Sequence, residues 1–131
     1  MSLATWKKEF CPAPASECEE KDALAHVLRK YLGTRQEALE QHGVEKKGNG
    51  LIDRKGHAFW FGVDTCALCM CYSSAEQGAC SKCPLTTRGG KRCFNHNRPY
   101  RHWCLTGDPE PMIRALRRAI KKQERKGTRP C

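Results

Sequence analysis

The chain is 131 residues long, 39% hydrophobic, carries a net charge of +10 and contains ten cysteines. This length supplies one domain's worth of core, and a mean hydropathy of −0.72 keeps that core modest. No apolar run approaches the roughly 18 residues of a membrane span, and Met1 to Glu20 lacks the apolar stretch of a secretory signal. The expectation is therefore a cytoplasmic chain with no membrane partner.

In chain order, Pro12 and Pro14 predict an extended start, because proline restricts the residue before it. Ser16-x-x-Glu19 has the form of a capping box. Leu24, Val27, Leu28 and Tyr31 follow at i, i+3, i+4 and i+7, one face of a helix, and Gly33 stands where a C-terminal cap belongs. Thr34-x-x-Glu37 repeats the box and predicts a second, short helix that stops near Gly43. Glu45 to Gly50 reads as a polar loop. Leu51-Ile52-Asp53, a Lys55-Gly56 turn and the run His57 to Val63 read as a β-hairpin rich in aromatics, which delivers the chain into Cys66. Ser73 to Arg92 reads as irregular, and Pro99 is expected to interrupt regular structure around it.

The last helix has the clearest signals. Asp108 is a good N-cap, Pro109 suits the first helical position and Glu110 complements the dipole. Met112, Ile113, Ala115, Leu116, Ala119 and Ile120 share one arc, with Arg114, Arg117, Arg118, Lys121 and Arg125 on the other. The sum is a single α+β domain over residues 1–131. It comprises a helical hairpin (1–44), a β-hairpin and zinc module (50–104), a basic amphipathic helix (108–126) and a tail (127–131).

Ten cysteines without an export signal point to metal rather than disulfides. Cys66-Ala67-Leu68-Cys69 and Cys80-Ser81-Lys82-Cys83 are two Cys-x-x-Cys turns ten residues apart. Four thiolates from two such turns make the tetrahedral sulfur cage that structural Zn²⁺ prefers. The expected ligands are Cys66, Cys69, Cys80 and Cys83. An iron–sulfur cluster or a disulfide framework is the alternative, Cys71 and Cys93 are candidates to replace one ligand, and Cys93, His96, His102 and Cys104 are candidates for a second site. A closed four-thiolate site leaves no coordination position for substrate, so the metal is expected to hold the fold and the chain not to be an enzyme.

The charge is unevenly distributed. Residues 1–83 carry 11 Lys and Arg against 11 Asp and Glu, whereas residues 84–131 carry 13 against 3. Arg88, Lys91, Arg92, Arg98 and Arg101 are interleaved with Phe94, Tyr100 and Trp103, the combination needed for phosphate contact and base stacking. With Arg114, Arg117, Arg118, Lys121 and Arg125 they form the candidate surface for DNA or RNA. The bland alternative is a solvated face with the rings packed inward around the metal. Asn95-His96-Asn97 suggests a metal-dependent nuclease more weakly, since no acidic ligand set accompanies it.

Several short motifs resemble a family of small proteins encoded by tailed bacteriophages. They are Trp6-Lys7-Lys8-Glu9-Phe10 with Pro12-x-Pro14-Ala15-Ser16, Leu28-Arg29-Lys30 before Gly33, Cys66-Ala67-Leu68-Cys69, Cys80-x-x-Cys83-Pro84-Leu85, and Gly107 to Met112. The resemblance implies a phage origin and a host-cytoplasmic setting, and carries no mechanism. A phage effector that binds and blocks an acidic host protein, in transcription or defence, is thus the alternative to nucleic-acid contact.

Overall fold

The structure, a computed structural model, describes residues 2–61, 66–68, 84–85 and 98–125. The α-helices and strands with defined bounds are α1 Leu3–Phe10, α2 Ala23–Leu32, α3 Gln36–His42, β1 Val44–Lys47, β2 Gly50–Asp53, β3 Ala58–Trp60, α4 Pro99–Thr106 and α5 Glu110–Arg125. The α+β expectation holds at that level. No helix among the described residues is long and apolar enough to cross a membrane.

The start of the chain is helical, contrary to the expectation from Pro12 and Pro14. Ser2 caps α1, its Oγ accepting the Thr5 N–H at 3.3 Å, while Thr5 Oγ1 accepts the Ser2 N–H in return at 3.1 Å. The prolines act only after the helix has ended at Phe10. The two capping boxes read from the sequence do not form. Ser16 lies in a 3-10 turn, Ala15–Glu17, and α2 begins later, with Asp22 as its N-cap. Thr34 turns its hydroxyl back to donate to Tyr31 O at 2.7 Å, so α3 starts beyond Arg35. Gly43 then closes α3 at φ 64°, a left-handed conformation that glycine adopts without a Cβ penalty.

The expected hairpin is present, and the expected polar loop before it is a third strand. β1, β2 and β3 form an antiparallel sheet in sequence order. Lys47 pairs with Gly50 across a two-residue Gly48-Asn49 turn, and Leu51 pairs with Phe59. Asn49 extends the pairing, accepting the Phe61 N–H at 2.7 Å and donating Nδ2 to Phe61 O at 3.0 Å.

Pro99 initiates a helix instead of interrupting one. It occupies the first turn of α4, where its missing N–H costs nothing because that donor has no intrahelical acceptor. Gly107 ends α4 at φ 79° and turns the chain into α5. There the reading holds: Asp108 Oδ1 accepts the Glu110 N–H at 3.1 Å, and Met112, Ile113 and Leu116 are buried, with α5 lying along α2.

Phe61 is the hub of the core. Its ring centroid lies 4.5 Å from that of Trp103, 5.2 Å from Tyr31 and 5.5 Å from Phe59. Trp6 joins through Phe59 at 5.5 Å and donates its Nε1 to Gly33 O at 2.8 Å. Lys30, 1% exposed, holds Nζ 4.9 Å above the Phe61 ring. In such low dielectric the ring's negative face offsets part of the cost of burying the ammonium.

Candidate metal centre and nucleic-acid interface

Of the four expected zinc ligands the structure describes Cys66. It is half-buried and packs against the core, followed by the buried helical residues Ala67 and Leu68. Cys69, Cys80 and Cys83 lie outside the described residues, as do Cys71, Cys93 and His96. Among the described residues no group of three or more His, Cys, Asp or Glu is placed to hold a metal. Leu85, two residues after Cys83, is buried in the same core as Ala67 and Leu68. The described residues on either side of positions 69–83 are thus both anchored in the core.

Of the candidate second site, His102 and Cys104 are described, with Cys104 partly buried against the core. His102 Nε2 meets Asp108 Oδ2 at 3.2 Å, and the Cys104 carbonyl accepts Lys46 Nζ at 2.6 Å. Cys11 is far in sequence from the Cys-x-x-Cys turns. It lines a cavity of about 470 Å³ with Lys7, Lys8, Pro12, Pro14 and Phe59, and burial pushes its thiol pKa up. Such a thiol is a poorer nucleophile than a free cysteine.

Arg88, Lys91, Arg92 and Phe94 also lie outside the described residues. The described part of the basic segment splits into two kinds of residue. Arg101 is exposed. Arg98 is half-buried at the N-cap of α4, its Nη2 donating to Leu85 O at 2.8 Å, which ties α4 to the turn at Pro84-Leu85. The two described rings are both engaged by the core. Trp103 is 0% exposed, and Tyr100 donates its hydroxyl to Phe61 O at 2.6 Å. Their alternation with cations follows from α4 itself, which buries Pro99 and Trp103 while Arg101 on another side reaches water.

On α5 the cations are where the periodicity puts them. Arg114, Arg117, Arg118, Lys121 and Arg125 are all exposed. At 100° per residue they fall within one arc, a row about 17 Å long from the first to the last. The ion pairs among the described residues are Lys21–Glu19, Arg35–Glu110, His42–Glu9, His57–Asp53 and His102–Asp108, and none uses a cation of this row. Glu110, the acid nearest the start of α5, is engaged by Arg35 in two bonds of 2.9 and 3.1 Å, which hold its carboxyl below the usual range.

The sequence reading assigns no functional residue to the sheet. Yet Trp60 on β3 is 50% exposed, and the only sequence signal for this is the alternation Ala58-Phe59-Trp60, which puts Phe59 and Trp60 on opposite faces. No protein-family model matches this chain, and neither a curated protein nor a solved structure does.

Proposed function

We propose that this chain is a non-enzymatic, zinc-binding phage protein of the host cytoplasm that contacts DNA or RNA through its basic C-terminal surface. The observation that carries the reading is the α5 row of Arg114, Arg117, Arg118, Lys121 and Arg125, exposed and without an ion-pair partner among the described residues. Five like charges on one side of a helix repel one another, and an anionic polymer relieves that repulsion while releasing its own counterions. Arg88, Lys91, Arg92 and Arg101 extend the surface in this reading, and Arg98 braces it through Leu85. Zinc at Cys66, Cys69, Cys80 and Cys83 is supported by the spacing of the two turns and by the buried residues at both ends of that segment. The phage origin rests on the motif resemblance alone.

The test is a charge reversal of Arg117, Lys121 and Arg125 to Glu. The variant binds duplex DNA more weakly, and its plot of log affinity against log salt is shallower by roughly three units, about one per lost phosphate contact. An unchanged slope clears α5 of the role. Retention of the wild type by an acidic host protein, with no affinity for any nucleic acid, replaces this reading with that of an effector. Metal-dependent cleavage that disappears in His96→Ala replaces it with a nuclease.

A further inference from the structure

One face of α1 turns away from the core. Leu3 and Trp6 are buried, whereas Ala4, Lys7 and Lys8 are exposed. With Cys11 at the C-cap these three recur at i, i+3, i+4 and i+7, which sets all four on one side of the helix. Pro12, Pro14 and buried Ala15, where the chain leaves the helix, and Phe59 from β3 complete the lining of a cavity of about 470 Å³. Small-molecule sites span roughly 300–1,000 Å³ and are walled mainly by apolar groups with a few polar ones.

The lining has two kinds of chemistry. The prolines, the alanines and the Phe59 ring are apolar, and no acid lines the cavity among the described residues. Its ionic groups are both ammonium groups. Lys7 Nζ lies 5.4 Å over the Phe59 ring, and neither Lys7 nor Lys8 takes part in an ion pair among the described residues. Glu9, the acid next to them in sequence, is committed to His42 Nε2 at 2.8 Å. The field of the cations reaches into the cavity. Burial pushes the Cys11 thiol up, while Lys30, Lys7 and Arg29 pull it the other way.

An anion with an apolar body matches both. Its hydrocarbon part leaves water against the prolines and Phe59, and its acid group meets two ammonium groups that have no carboxylate of their own. An inorganic anion gains nothing from the apolar walls. A neutral hydrocarbon gains nothing from the lysines, and a cation is repelled by them. We infer that this cavity binds a small amphipathic organic anion, its apolar body against Phe59, Pro12 and Pro14 and its acid group at Lys7 and Lys8. The site shares no residue with the α5 row and does not depend on the nucleic-acid reading.

The experiment titrates the full-length protein with two dyes whose emission rises in apolar surroundings. One is anilinonaphthalene sulfonate, an aromatic acid, and the other is phenylnaphthylamine, the same ring system without the acid. The sulfonate is expected to bind saturably and more tightly than the neutral dye. Lys7→Gln combined with Lys8→Gln weakens sulfonate binding by roughly five- to tenfold, the scale of two exposed ion pairs, and leaves the neutral dye unchanged. Ala4→Phe fills the cavity from α1 and excludes both dyes, with a native circular dichroism spectrum showing the fold intact. A second measurement needs no variant. Bound sulfonate slows alkylation of Cys11 by iodoacetamide, followed by mass spectrometry on the Cys11 peptide, and leaves the rate at Cys104 unchanged. Dye binding indifferent to Ala4→Phe, equal loss of both dyes in the lysine variant, or Cys11 alkylation untouched by saturating sulfonate overturns the inference. So does a wild type that binds no sulfonate, and the role proposed for α5 then stands without it.

Discussion

Asp53 ends β2, and its carboxylate gathers donors from two distant parts of the chain. Oδ2 accepts the Leu3 N–H at 3.1 Å, while Oδ1 accepts the N–H groups of Lys55 at 3.0 Å and His57 at 2.9 Å. Leu3 is the first residue of α1, so its N–H has no acceptor within the helix, and a negative charge there also complements the helix dipole. The Leu3 bond is the main cause of an Asp53 pKa below the usual carboxylate range. Asp108 is lowered by the Glu110 N–H and Glu110 by Arg35, in the same direction. A carboxyl that is more acidic folded than unfolded contributes stability above its unfolded pKa, and that contribution is lost as pH falls through the folded value. The chain should therefore lose stability on acidification below about pH 4. Asp53→Asn removes the charge and turns an NH₂ group toward either the Leu3 N–H or the N–H groups of Lys55 and His57. It is expected to lower stability at neutral pH, with the deficit shrinking as pH falls below the ordinary carboxylate range and the wild-type carboxylate protonates. Chemical denaturation of both proteins across this range checks it. A deficit that stays constant would assign the loss to shape alone. The Asp53-to-Gly56 turn can be read in the sequence, but the tie to Leu3, fifty positions away, cannot.

At the scale of elements, the junction of α1 with the end of α2 depends on Gly33. Its φ of −73° is open to any residue, so conformational freedom is not why glycine stands here. A Cβ at Gly33 would lie 2.4 Å from Cγ of Phe10 and 2.7 Å from its Cδ2. Phe10 cannot retreat freely, being packed against Trp6 at 5.7 Å and edge-on to His42 at 5.9 Å. Gly33→Ala is expected to cost about 1–3 kcal/mol through overpacking, measured by denaturant unfolding. In a Phe10→Ala background the same change should cost much less, since the clash is gone. Equal costs in both backgrounds would place the strain elsewhere. The pattern of apolar residues made α2, the β2–β3 hairpin and α5 legible because each buries one regular face. What escaped were elements decided by partners. Ser2 and Thr5 cap α1 with a box that uses threonine in place of Glu or Gln, and β1 is polar because only Val44 is fully buried while Lys46 reaches Trp103 and the Cys104 carbonyl. Pro99 can either break or begin a helix, and its neighbours in sequence do not decide between them.

For the whole molecule, the two halves of the chain meet in one core. Tyr31 packs edge-on against Trp103 at 5.5 Å, Arg35 grips Glu110, and Ala67, Leu68 and Leu85 bury themselves in the same cluster. The candidate metal site is tied into that core by the residues between and after its cysteines, a link invisible in the Cys-x-x-Cys spacing alone. Spacing predicts which sulfurs can share an ion but not what their neighbours pack against. The basic row of α5 was legible for the opposite reason, since an exposed face needs only periodicity. If zinc closes the site, its removal releases Ala67, Leu68 and Leu85 from the core as well as the thiolates from the metal. Structural zinc in small sites binds with apparent free energies on the order of 10 kcal/mol, comparable with the whole net stability of a domain. Chelation is thus expected to strip about one zinc per chain and to abolish or broaden the thermal transition, with loss of the near-ultraviolet circular dichroism of Trp6 and Trp103. Cys69→Ser and Cys80→Ser should reproduce the effect, whereas Cys11→Ser, outside the proposed ligand set, should retain zinc. Native mass spectrometry beside the melting curve separates the cases. A protein that purifies without metal and melts as sharply with chelator as without it would show that the aromatic cluster holds the core unaided, and the role assigned to the cysteine turns would fail.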